Sequence, residues 1–73
     1  MEQKEIYDMR AKYGDGARIQ LWCYTAQKRD QWLDAAHHHG DHHGGLVEVQ
    51  QYTYVLKGEK IEYCVPEIQR EKE

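Results

Sequence analysis

Five histidines and one aspartate fall within seven residues, His37-His38-His39-Gly40-Asp41-His42-His43. Neutral imidazole is the commonest metal ligand among side chains, and a run this dense offers several ring nitrogens if the backbone aims them at one point. Two or three of these histidines could hold one Zn²⁺, Ni²⁺ or Cu²⁺, with Cys23 or Cys64 as an extra ligand. The candidate metal residues are His37, His39, Asp41 and His42. A closed site would add folding energy to a small domain. The competing reading is a solvated polar loop that takes up transition metals adventitiously. The segment lies mid-chain and is interrupted by Gly40-Asp41, unlike a terminal purification tag.

Spaced as His37-x-His39-x-Asp41-His42-x-Gly44-Gly45, the segment resembles the metal-binding signature of the metallo-β-lactamase superfamily. The resemblance covers nine residues of 73. It implies His37 and His39 on one Zn²⁺, Asp41 and His42 on a second, and a helix starting at the paired glycines. That family folds as a large αββα sandwich with further ligands downstream. Here no His follows His43 and no Asp follows Asp41. Gly44-Gly45 leads into Leu46-Val47-Glu48-Val49, which reads as strand rather than helix.

Other chemistry is sparse. Cys23 and Cys64 form no Cys-x-x-Cys and have no neighbours that imply a lowered pKa, so both read as small buried hydrophobes. Trp22, Tyr24 and Tyr52 could stack bases as RNA-binding sheets do. Two points oppose that. The net charge is −3, against the basic footprint of a nucleic-acid binder. The tyrosines of the second half also read as core.

A chain of 73 residues makes one small domain with a thin core. Six Tyr and two Trp argue against disorder. Two cysteines are too few for the disulfide framework of a small secreted domain. The start, Met1-Glu2-Gln3-Lys4-Glu5, lacks the pattern of a signal peptide, and no apolar run is long enough to span a membrane. These features point to a cytoplasmic protein.

The elements follow from turn residues and periodicity. Gly14-Asp15-Gly16 is a turn signal, with Gly16 suited to the left-handed position of a three-residue loop. That loop sets Tyr13 opposite Ala17, Ala11 opposite Ile19, Met9 opposite Leu21 and Tyr7 opposite Cys23, all on one face. A hairpin over 4–13 and 17–25 results. The rival is a helix over 3–13, with Ile6, Met9 and Tyr13 on its stripe. Thr25 caps a helix from Ala26 to about Ala36. Trp32, Leu33 and Ala36 form its buried stripe, and Gly40 is a stop. Val47–Leu56 and Ile61–Val65 make a second hairpin around Gly58-Glu59. Its expected cross-strand pairs are Leu56 with Ile61, Tyr54 with Tyr63, and Tyr52 with Val65. Pro66 should end the last strand, leaving a charged tail over 67–73.

The expected fold is therefore α+β: a four-stranded antiparallel sheet from two hairpins (ββαββ) with one helix packed on one face. Residues 1–73 form a single domain with a His/Gly-rich loop at 37–45. A single helix leaves the second sheet face uncovered. Ile6, Trp22 and Tyr24 lie there beside Val47, Val49, Thr53 and Val55, and an uncovered apolar patch marks an interface. The candidate interface residues are Trp22, Tyr24, Ile6 and Val55. The functional expectation is a small non-catalytic interaction module, a regulator or inhibitor that binds a protein partner or a second copy of itself. Nucleic acid and membrane are not expected partners. The alternative is a metal-binding protein that holds Zn²⁺, Ni²⁺ or Cu²⁺ through His37–His43.

Overall fold

The Gly14-Asp15-Gly16 turn closes the first hairpin as its residues predict. Gly16 sits at φ 91°, where a side chain would be strained. Its N–H donates to the Tyr13 carbonyl, and the Tyr13 N–H donates to the Ala17 carbonyl, each at 2.9 Å. The computed structural model describes residues 3–70. In it the turn joins β1 (Gln3–Tyr13) to β2 (Arg18–Cys23). Tyr7 faces Cys23, Met9 faces Leu21 and Ala11 faces Ile19, the register expected. The rival helix over 3–13 does not form. A helix would align Ile6, Met9 and Tyr13 but scatter Tyr7 and Ala11, whereas the strand gathers Tyr7, Met9, Ala11 and Tyr13 on one face.

Thr25 is extended (φ −139°, ψ 152°), and its hydroxyl oxygen accepts from the Lys28 N–H at 3.1 Å. The helix it caps, α1, runs Ala26–Gly40, four residues beyond the expected end. The loop expected at 37–45 is thus helix as far as Gly40. No Gly or Pro interrupts Ala36-His37-His38-His39, so nothing stops propagation there. Past Gly40 the chain tightens: the N–H groups of Asp41, His42 and His43 return to the carbonyls of His38, His39 and Gly40 at 3.0–3.3 Å.

The second hairpin pairs β3 (Leu46–Lys57) with β4 (Lys60–Arg70) around Gly58, at φ 66°. Leu56 faces Ile61 as expected, but the register then shifts by one residue. Val55 faces Tyr63, Tyr54 faces Cys64, Thr53 faces Val65 and Tyr52 faces Pro66. The expected pairs Tyr54–Tyr63 and Tyr52–Val65 do not form. The bulge turns Tyr63 and Val65 to the opposite face from Tyr52 and Tyr54. Pro66 does not end the strand. It sits in an edge strand, where a missing donor is tolerated, and β4 continues to Arg70. Of the charged tail expected at 67–73, residues 67–70 are strand and 71–73 lie outside the described residues.

The hairpins join through β1 and β3, giving one antiparallel sheet of order β2-β1-β3-β4 with a single helix. Tyr7 lies opposite Thr53, Met9 opposite Gln51 and Ala11 opposite Val49. The core lies between this face and α1: Tyr7, Met9, Ala11, Tyr13, Cys23, Leu46 and Val49 against Ala36, with Trp32 and Leu33 packed on them. The Arg29 guanidinium lies 4.9 Å over the Tyr7 ring and ties the helix start to the sheet. At the other end the buried Tyr13 hydroxyl donates to the Ala36 carbonyl at 2.8 Å.

A helix of 15 residues spans about 22 Å. A strand of 12 spans about 40 Å. The molecule is accordingly elongated, 44 × 20 × 15 Å. The helix covers β1 from Tyr7 to Tyr13, and the second hairpin projects past it. Every residue of β4 is exposed.

Candidate functional site

The sheet face away from the helix is laid out in rows by strand register. Arg18, Lys12, Glu48 and Arg70 form one row across all four strands. Gln20, Arg10, Gln50 and Ile68 form the next, then Trp22, Asp8, Tyr52 and Pro66. Ile6, Tyr54 and Cys64 follow. The face is basic at one end, aromatic in the middle and apolar toward the hairpin tip.

Asp8 anchors this surface. It is fully buried, although no helix covers it. Its carboxylate accepts from Arg10 Nη2 at 2.8 Å and from Gln20 Nε2 at 2.9 Å. A buried carboxylate is tolerated only with such donors. The Arg10 guanidinium in turn lies 5.0 Å over the Tyr52 ring. The Trp22 and Tyr54 rings stack, centroids 5.6 Å apart at 28°. Trp22 is still 46% exposed. Beside its row, Arg10, Lys12, Arg18, Gln20, Glu48 and Gln50 line a groove of about 460 Å³.

The candidate interface residues divide. Ile6 and Trp22 are on this open face. Tyr24 is 70% exposed but lies past the end of β2, where it lines a cleft with Trp22, Thr25 and Trp32. Val55 is corrected: it is 5% exposed, opposite Glu5 on the helix side of the sheet. Val49 and Thr53 share that side, so the second hairpin presents Tyr52, Tyr54 and Leu56 to the open face instead. Both faces of β3 are apolar, and its alternation alone did not say which meets the helix.

The histidines lie at the other end of the domain from the hairpin tip. His37 Nδ1 donates back to the Leu33 carbonyl at 2.8 Å. His39 and His43 sit side by side, ring centroids 4.4 Å apart, with the Tyr13 ring 5.3 Å from His39. His43 Nδ1 donates to Asp15 Oδ2 at 2.7 Å. The Gly14 N–H donates to the Gly45 carbonyl and the Asp15 N–H to the His43 carbonyl, both at 2.9 Å. These contacts clasp the loop after α1 to the first hairpin turn. The Ala17 N–H, and after it the His43 ring, hold the Asp15 carboxyl below the usual carboxylate range. Among the described residues no three His, Cys, Asp or Glu side chains converge to hold one ion. Gly44-Gly45 opens a strand. The partnership of His43 with Asp15 had no signal in the sequence, because it depends on where α1 ends.

The cysteines are far from this cluster and from each other. Cys23 is buried opposite Tyr7, and burial pushes its thiol pKa up, away from the reactive thiolate. Cys64 is exposed opposite Tyr54. Among the described residues no helix is long and apolar enough to cross a membrane. No family model, curated protein or solved structure matches this chain.

Proposed function

We propose that this protein is a small non-catalytic interaction module whose working surface is the open face of its sheet. One observation carries the reading. Ile6, Trp22, Tyr52, Tyr54 and Leu56 share a face that no element among the described residues covers, and Trp22 there is 46% exposed. Large aromatics and Arg beside aliphatic side chains are what binding surfaces concentrate. The module acts by occupancy, as a regulator or inhibitor does. The alternative, Zn²⁺ held through His37–His43, has its best support in the adjacent rings of His39 and His43. No third donor converges on that pair among the described residues.

The test compares wild type with Trp22→Ala. The variant should stay folded and melt within about 15 °C of wild type, since a half-buried ring contributes about 2 kcal/mol to folding. It should lose about tenfold or more in affinity for whatever the wild type engages, a second copy measured by sedimentation equilibrium included. An unfolded variant would make Trp22 structural. Unchanged association would move the working surface elsewhere.

A further inference from the structure

The net charge of −3 conceals a separation of charge between two sides. Among the described residues the open face carries Lys4, Arg10, Lys12, Arg18 and Arg70 against three acids, Asp8, Glu48 and the bulged Glu62. Asp8 is buried and taken up by Arg10 and Gln20. Glu48 accepts from Gln50 at 2.8 Å and faces Arg70 at 3.5 Å. The rest of the described residues lean acidic, with Glu5, Asp15, Asp30, Asp34, Asp41, Glu59 and Glu67 against Lys28, Arg29, Lys57 and Lys60.

Lys12 and Arg18 lie directly opposite each other on neighbouring strands, an unfavourable pairing, and Glu48 lies opposite Lys12 on its other side. Neither makes an ion pair with a described acidic residue. A polyanion laid across the row would relieve their repulsion. The next rows offer planar rings, Trp22 stacked on Tyr54 and Tyr52 under Arg10.

We infer that the open face binds single-stranded nucleic acid. Phosphates sit along Arg18, Lys12, Arg10 and Arg70, and bases stack on Trp22, as on positively charged sheets with aromatic platforms. The inference rests on the open face being the working surface. It replaces the expectation of a protein partner and no nucleic acid, which relied on whole-chain charge and on Tyr52 and Tyr54 lying in the core. A second copy fits less well. A two-fold, face-to-face dimer would set these cations against their own copies or over Ile6 and Leu56.

The test is fluorescence anisotropy with labelled oligothymidylate and oligouridylate of about 15 nucleotides. Wild type should bind with Kd of about 1–100 µM at low salt. Log affinity against log salt should have a slope of about −2 to −3, since each phosphate neutralised on a single strand contributes about −0.7. Trp22→Ala should weaken binding about five- to hundredfold. Lys12→Gln/Arg18→Gln, both exposed, should weaken it about tenfold and flatten the slope while keeping the wild-type melt. Absence of oligonucleotide binding by folded wild type would overturn the inference, as would binding that both variants leave unchanged. Equal binding to poly-L-glutamate, or a Trp22-dependent dimer in sedimentation, would also overturn it but would uphold the open face as the working surface. If Trp22→Ala alters none of the three, both readings fall.

Discussion

Asp15 has a carboxyl whose neighbours favour its ionised form. The Ala17 N–H donates to one oxygen at 2.8 Å and His43 Nδ1 to the other at 2.7 Å. Together they lower its pKa in the folded state. A carboxyl lowered in this way adds stability above its unfolded pKa of about 3.9, and that stability is lost as pH falls through the folded value. The clasp should therefore hold from about pH 5 upward and fail progressively below about pH 4. Asp15→Asn should lower stability at neutral pH and flatten this acid limb, read as urea midpoints across the pH range. An acid limb that overlays wild type would separate Asp15 from folding. The sequence set His43 at the end of the candidate metal segment His37–His43, outside the named ligands, and in the fold its ring pairs with a carboxylate 28 residues away in the chain.

At the scale of elements, the clasp works because two backbones meet closely. A Cβ on Gly14 would come within 2.5 Å of the Gly44 carbonyl oxygen, and one on Gly40 within 2.9 Å of the Leu46 N. Both approaches pin the end of α1 to the start of β3 and to the first hairpin turn. Gly14→Ala should therefore destabilise the protein by about 1–3 kcal/mol, seen as a lower urea midpoint with an unchanged slope. Equal stability would show that the loops separate at no cost. The turn glycines and the Thr25 cap were legible because each acts within a few residues. Gly40 was legible as a stop as well, but the helical state of His37–His39 was not, because it depends on Gly40 packing against Leu46 and Tyr13.

Across the whole molecule, helix cover is unequal. From Tyr7 to Tyr13 the sheet is backed by α1 and holds the buried core. Beyond it the second hairpin is a single layer, and β4 is exposed throughout. Amide hydrogen exchange should follow this gradient: slowest at Met9 and Ala11 in β1, and faster by orders of magnitude between Lys57 and Val65. Uniform protection in the free protein would mean that the hairpin is covered by association. Because the helix covers only one face, the basic and aromatic rows of the other are exposed. Whole-chain charge averages two sides of opposite sign, so it could not reveal them.

The sequence by itself determined the first hairpin and its register, the left-handed turn at Gly16, the cap at Thr25 and the stripe of Trp32, Leu33 and Ala36. Each is a short-range preference of backbone dihedrals, capping or periodicity, complete within one or two elements. Only the tertiary structure decided which face of β3 meets the helix. Val49 and Val55 on one side compete with Tyr52, Tyr54 and Leu56 on the other, and both sets are apolar enough for a core. The choice was made by the pairing of β1 with β3, which sets Ala11 opposite Val49 and Ile6 opposite Tyr54. The bulge beside Leu56 then turned Tyr63 and Val65 away from the tyrosines of β3. Side chains alternate across a strand, so a single-residue shift exchanges its faces. That is why Tyr52 and Tyr54 line an open surface beside Trp22 rather than the core.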